Sequence, residues 1–64
     1  MNWDQIKGNW REFKGKVRQQ YGDLTDDEVE QAKGSEEEFM GLLQRKYGKT
    51  REEARREVEN LTGS

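Results

Sequence analysis

Apolar residues recur at intervals of three and four through the first third of the chain. The series is Trp3, Ile6, Trp10, Phe13, Val17 and Tyr21. At a rotation of about 100° per residue these side chains fall within an arc of about 80°, which is the apolar face of an amphipathic helix. Asn2 precedes the series as an N-cap residue, and Gly22 follows it where a left-handed residue commonly ends a helix. The pattern predicts a helix over residues 3–21.

Capping signals divide the rest of the chain into three segments. Each signal places Ser or Thr three residues before Glu, which is the capping-box spacing. The pairs are Thr25 with Glu28, Ser35 with Glu38, and Thr50 with Glu53. Each segment ends at a glycine, namely Gly34, Gly48 and Gly63. We therefore predict helices over 26–33, 36–47 and 51–62.

The four predicted helices must share one small core, because only 28% of the residues are apolar and 41% are charged. A chain of 64 residues forms one domain at most and buries about 60% of its unfolded surface. Consecutive helices joined by short turns pack as hairpins. We expect an all-α fold, a small four-helix array of two packed helical hairpins, in a single domain over residues 1–64.

The composition excludes several kinds of catalytic and metal site. The sequence contains no Cys and no His, which removes thiol chemistry, the usual zinc ligands and the side chain best suited to proton transfer. The acidic runs 26–28 and 36–38 occupy successive positions and lack the alternating ligands of a calcium-binding loop. The glycines are spread singly rather than clustered in a phosphate loop. We expect no enzymatic activity, no cofactor and no metal site.

The hydropathy of the chain bears on its location. No apolar run approaches the length of a membrane span or of a signal-peptide core. The absence of disulfides also fits a reducing compartment. We expect a cytoplasmic monomer without a membrane partner.

Four basic residues follow one flank of the first predicted helix. Lys7, Arg11, Lys14 and Arg18 fall within about 60° of arc beside the apolar face. Residues 1–22 carry five basic and two acidic side chains, whereas residues 23–64 carry seven basic and twelve acidic. This asymmetry is typical of an anion-binding surface. A solvated flank whose side-chain stems cover the core gives the same pattern, and the net charge of −2 favours it.

Two glycines lie on the opposite side of the same helix. Gly8 and Gly15 are seven residues apart, and each costs about 1 kcal/mol relative to Ala inside a helix. Close contact with a partner or with another backbone would explain their presence. A kink in the helix, or a loop packed against it, would also explain them, and we favour these two explanations slightly.

Several short motifs stand at fixed mutual spacing. They are Gly8-Asn9-Trp10, Lys14-Gly15-Lys16, Tyr21-Gly22, Leu24-Thr25-Asp26-Asp27-Glu28, Gly34, Gly41-Leu42-Leu43-Gln44 and Tyr47-Gly48. Together they resemble the signature of the CsbD-like family of small bacterial stress-response proteins. The resemblance covers nearly the whole chain and is weaker beyond Gly48. It implies a sterile-alpha-motif-like helical array and a role in bacterial stress, and it transfers no catalytic residue.

These observations leave three functions open. A general stress-response protein that binds or protects protein clients fits the high charge and low apolar content. A nucleic-acid-binding module would use the basic stripe on the first helix, although the Asp and Glu residues at the helix N-termini repel phosphate. The regular capping also permits a consensus or designed scaffold with no function beyond folding.

Overall fold

The computed structural model describes residues 2–63, which form five α-helices and one 3₁₀ turn. The helices are α1 (Trp3–Gly8), α2 (Trp10–Gln20), α3 (Asp26–Gln31), α4 (Glu36–Tyr47) and α5 (Arg51–Thr62), and the 3₁₀ turn spans Ala32–Gly34. The prediction of an all-α fold is confirmed. The bounds of α4 and α5 agree with the predicted ranges, whereas the predicted helix over 26–33 ends early in the 3₁₀ turn.

The first predicted helix is interrupted at Asn9, which separates α1 from α2. Asn9 has φ −116° and ψ 36°, outside the helical region. Its backbone N–H donates to the Ile6 carbonyl, and its side-chain amide donates to the Gln5 carbonyl at 3.4 Å. One continuous helix over 3–21 is therefore wrong, and the interruption lies directly after Gly8, where a kink was one of the two predicted explanations.

Complete capping boxes begin two of the helices. The pairs are Thr25 with Glu28 for α3 and Thr50 with Glu53 for α5. In each box the Thr hydroxyl accepts the Glu N–H, and the Glu carboxylate accepts the Thr N–H. These reciprocal bonds satisfy N–H groups that have no partner inside the helix.

Glycines in the left-handed conformation end two helices, whereas α2 ends without one. Gly48 has φ 65° after α4, and Gly63 has φ 76° after α5. The C-cap of α2 is Tyr21, with φ −128° and ψ 76°, and Gly22 does not have a positive φ. The left-handed residue predicted at Gly22 is wrong, because the chain leaves α2 through Tyr21 in a non-helical conformation instead.

The helices enclose one apolar core. Its buried members are Ile6, Trp10, Phe13, Val17, Tyr21, Leu24, Val29, Ala32, Phe39, Met40, Leu42, Leu43, Ala54, Val58 and Leu61. Trp3 and Tyr47 are partly buried against this cluster. The Phe13 and Phe39 rings meet edge to face, with centroids 5.3 Å apart, an arrangement that aromatic pairs favour.

Ion pairs join the outer face of α2 to α3. α5 packs against both α4 and α2, while α3 packs against the 3₁₀ turn and α4. Phe13 and Val17 turn the apolar face of α2 inward. The opposite face of α2 therefore meets solvent beside α3.

Candidate functional site

A shallow groove of about 520 Å³ lies on the solvent side of α2, next to α3. Its lining residues are Trp10, Arg11, Lys14, Gly15, Arg18, Asp26, Glu30 and Lys33. We call this surface the basic groove. It contains three of the four residues of the predicted basic stripe and one of the two predicted close-contact glycines. Lys7 and Gly8 lie on α1, before the interruption at Asn9, and do not line it.

The helical repeat of α2 sets the basic side of the groove. Arg11, Lys14 and Arg18 follow one another at steps of three and four, which places them on one helix face. Lys33 joins them from the 3₁₀ turn, where the indole N–H of Trp3 donates to the Lys33 carbonyl at 2.9 Å. The Lys33 ammonium lies 6.0 Å from the centroid of the Trp10 ring. Sequence reasoning missed Lys33, since no local pattern connects it with α2.

Two carboxylates of α3 occupy part of the same groove. The Lys14 ammonium lies 3.2 Å from a Glu30 carboxylate oxygen and 3.8 Å from an Asp26 oxygen. The Arg18 guanidinium donates to Asp26. Glu30 also accepts the indole N–H of Trp10 at 3.0 Å. The hydrogen bond from Lys14, assisted by the one from Trp10, lowers the pKa of the Glu30 carboxyl below its usual value.

The charges in the groove are therefore unevenly matched. Lys14 and Arg18 are paired with α3, whereas within residues 2–63 neither Arg11 nor Lys33 has a carboxylate oxygen inside 4.0 Å. The pairing had a signal in the sequence. Lys14 and Arg18 are four residues apart, and so are Asp26 and Glu30, so two adjacent helices present matched rows of opposite charge.

Packing within the molecule does not require a glycine at either predicted close-contact position. A Cβ atom built on Gly8 or on Gly15 would meet no atom within 4 Å. Gly8 is the last residue of α1, beside the interruption. Gly15 lies inside α2, where its missing side chain leaves the floor of the basic groove open.

The acidic runs do not converge. Asp26 faces α2, whereas Glu28 contacts the Lys46 ammonium of α4 at 2.9 Å. Glu37 pairs with the Arg51 guanidinium, with one contact of 2.8 Å. In the part of the chain that the structure describes, no group of three acidic side chains could hold a metal ion.

The two tyrosines form a separate contact on the core. Their ring centroids lie 4.7 Å apart, and the Tyr47 hydroxyl is buried without a hydrogen-bond partner among residues 2–63. Burial raises the pKa of both hydroxyls, and the nearby Glu57 carboxylate adds to the effect at Tyr21. Both hydroxyls therefore stay protonated at neutral pH and are poor nucleophiles.

Across residues 2–63, every helix is too short or too polar to cross a bilayer.

Comparisons with known proteins place these features in a family. The family model described as CsbD-like matches residues 4–56, which include all of the basic groove. A UPF0337 protein of Mesorhizobium japonicum is 57% identical over 60 residues, which cover 94% of this chain and 90% of that protein.

Other relatives match over a shorter stretch. A UPF0337 protein of Rhodopirellula baltica is 59% identical over 29 residues, or 45% of this chain and 43% of that protein. The UPF0337 protein YjbJ of Escherichia coli K12 is 59% identical over 29 residues, or 45% of this chain and 42% of that protein. The matched stretch is thus less than half the length of these relatives.

No solved structure matches the chain. The family match nevertheless covers most of the sequence, and the Mesorhizobium relative aligns over nearly all of it. The resemblance seen in the Lys-Gly-Lys and Leu-Thr-Asp-Asp motifs is thereby confirmed, and the chain belongs to the CsbD-like family.

Proposed function

We propose that this protein is a non-enzymatic general stress-response protein of the bacterial cytoplasm that acts by binding or protecting other macromolecules. The observation that carries the proposal is the separation of apolar from charged residues. Within residues 2–63 no charged side chain is buried, although 41% of the whole sequence is charged. The molecule therefore meets its surroundings through a hydrated surface of both charge signs, which favours weak, broad contacts.

The use of the hydroxyl groups supports a non-enzymatic role. Thr25, Ser35 and Thr50 each accept a backbone N–H as helix caps. Each of these three hydroxyls is thus engaged in holding the start of a helix. The family resemblance supplies the stress context and transfers no catalytic residue.

Drying of a labile enzyme tests the protective activity. We expect the enzyme to retain more activity after drying with this protein than with an equal mass of another small folded protein. The comparison at equal mass separates a specific effect from simple dilution of the enzyme. Equal recovery with both proteins would contradict specific protection.

A second candidate function is nucleic-acid binding. The observation that favours it is the meeting of Arg11, Lys14, Arg18 and Lys33 around one open groove. Fluorescence anisotropy of labelled duplex DNA and single-stranded RNA, at about 50 and about 200 mM salt, tests it. We expect micromolar binding that weakens with salt and is lost when Lys7, Arg11, Lys14 and Arg18 are replaced by Gln. Absence of binding at the lower salt would dismiss this candidate.

If both the drying assay and the nucleic-acid titration give no effect, a scaffold without function beyond folding is the remaining alternative.

The proposal extends to the arrangement of the helices. The close packing of α4 on α5 supports the second predicted hairpin. The ion pairs from Lys14 and Arg18 to α3 support the first. We propose on these grounds the sterile-alpha-motif-like array that the family resemblance implies.

A further inference from the structure

The basic groove is partly filled by anionic groups of the protein itself. Asp26 and Glu30 lie one helical turn apart on α3 and face Lys14 and Arg18 on α2. A carboxylate and a phosphate oxygen make the same charge-assisted hydrogen bonds to Lys and Arg. The two carboxylates therefore occupy the positions that a bound phosphate group would take.

We propose that the basic groove binds the phosphodiester backbone of a nucleic acid, and that Asp26 and Glu30 act as an internal competitor for this site. The inference rests on the second candidate function. It specifies where the nucleic acid binds and which groups of the protein compete with it. The lining contains four basic and two acidic residues, so the carboxylates cancel half of the positive charge. A phosphate that displaces them gains the full set of cations.

The contacts that close the groove are easily exchanged. Asp26, Glu30 and Arg18 are exposed, and Lys14 is only partly buried. Ion pairs between such side chains contribute little to stability and are screened by salt. α3 itself is anchored separately, because Val29 is fully buried in the core. Displacement therefore requires that two carboxylate side chains rotate and that Glu30 releases the indole N–H of Trp10, while the helix stays in place.

The position of Gly15 leaves room for the ligand. Gly15 is one helical turn from both Arg11 and Arg18, and it has open space in place of a side chain. A phosphate can therefore approach the backbone of α2 between cations on either side. This explains why a glycine occupies the interior of a helix in which no neighbouring atom excludes a larger residue.

The test compares two variants of equal net charge. Asp26→Asn with Glu30→Gln removes the internal competitor, whereas Asp27→Asn with Glu59→Gln removes two exposed carboxylates outside the groove. Titration of labelled duplex DNA at about 50 mM salt should show binding about tenfold tighter for the first variant than for the second. The reason is that the cations which the first variant leaves unpaired lie in the groove. Equal affinities would mean that only net charge matters, and would overturn the inference.

A charge-neutral change locates the site. In the background of Asp26→Asn with Glu30→Gln, Gly15→Gln fills the groove, and Gly8→Gln adds the same side chain outside it. We expect Gly15→Gln to abolish the tenfold gain and Gly8→Gln to retain it. Circular dichroism of each variant establishes that it is folded. Retention of the gain in the Gly15→Gln variant would overturn the proposed site.

DNA binding by the wild-type protein distinguishes failure of the inference from failure of the function on which it rests. If wild type does not bind DNA but the Asp26→Asn, Glu30→Gln variant does, the internal competitor is supported and the resting protein is not a DNA binder. If wild type binds and that variant gains no more than its charge-matched control, nucleic-acid binding stands and the competitor is overturned. If neither the wild type nor the variant binds DNA, the inference is overturned.

Discussion

Gly15 and Gly48 occupy their positions for different physical reasons. Gly48 has φ 65°, and its N–H donates to the Gln44 carbonyl at 3.0 Å, which closes the end of α4. An L-residue with a side chain is strained in that conformation. Gly15 has ordinary helical geometry and open space around it, so neither conformation nor packing requires it.

The two glycines should therefore respond in opposite directions to replacement by alanine. We expect Gly15→Ala to raise the free energy of unfolding by about 1 kcal/mol, because Ala loses less backbone entropy in a helix. Gly48→Ala should lower it by about 1 kcal/mol through the strained φ. Urea denaturation followed by circular dichroism measures both. A destabilised Gly15→Ala variant would show that the surroundings of Gly15 are not open.

At the residue scale, sequence reasoning found only part of the basic groove. Arg11, Lys14 and Arg18 share a helical period, and periodicity is readable from one segment. Lys33 and the carboxylates reach the groove from other segments, so their contribution depends on tertiary packing. The matched four-residue spacing of Asp26 and Glu30 is visible in the sequence. Their pairing with α2 depends on the relative orientation of the two helices, which the sequence does not show.

At the scale of single elements, α3 is a short helix that contributes little to the core. It has six residues, of which only Val29 is buried. Ion pairs hold it on two sides: Glu30 pairs with Lys14 of α2, and Glu28 pairs with Lys46 of α4. Val29 anchors the helix in the core, and these exposed ion pairs add a small contribution. The helices α2, α4 and α5 each bury three or more residues.

Acid should weaken these contacts of α3. The Thr25 N–H, and then Lys46, lower the pKa of Glu28 from its ordinary value of 4.5, and Lys14 does the same for Glu30. A lowered pKa in the folded state contributes stability that is present above the unfolded pKa and is lost as pH falls through the folded one. We expect the free energy of unfolding from urea titrations to decline below about pH 4.5.

Variants test the source of this decline. Glu28→Gln with Glu30→Gln should make the free energy of unfolding fall less steeply with acid than in wild type, because two of the responsible groups no longer titrate. Glu52→Gln with Glu59→Gln alters two exposed carboxylates elsewhere and is the matched control. A decline as steep in the first variant as in wild type would assign the acid sensitivity to other groups.

The helices themselves were predictable to different extents. The bounds of α4 and α5 followed from capping residues and terminal glycines, whose effects are local. The interruption at Asn9 was not predicted in position, because Ile6 and Trp10 keep the helical phase across it and both are buried. Apolar spacing reports which side of a segment faces the core, and it is insensitive to one non-helical residue.

At the scale of the whole molecule, folding joins the basic and acidic parts of the chain. The basic excess lies in residues 1–22 and the acidic excess in residues 23–64. The ion pairs of Lys14 and Arg18 with α3 connect these parts across the basic groove. The uneven distribution of charge along the sequence is thus partly neutralised in the folded protein. The folded surface, and not composition alone, determines which charges are available for contact.

The most direct test asks whether the folded surface is what protects. Val17→Asp places a charge at a fully buried position, which a domain of this size cannot accommodate, whereas Gln19→Asp places the same charge on the exposed side of α2. In the drying assay we expect wild type and Gln19→Asp to protect the enzyme equally, and the unfolded Val17→Asp variant to protect no better than the control protein. Equal protection by Val17→Asp, with its loss of helix shown by circular dichroism, would contradict the account, because composition without a folded surface would then suffice.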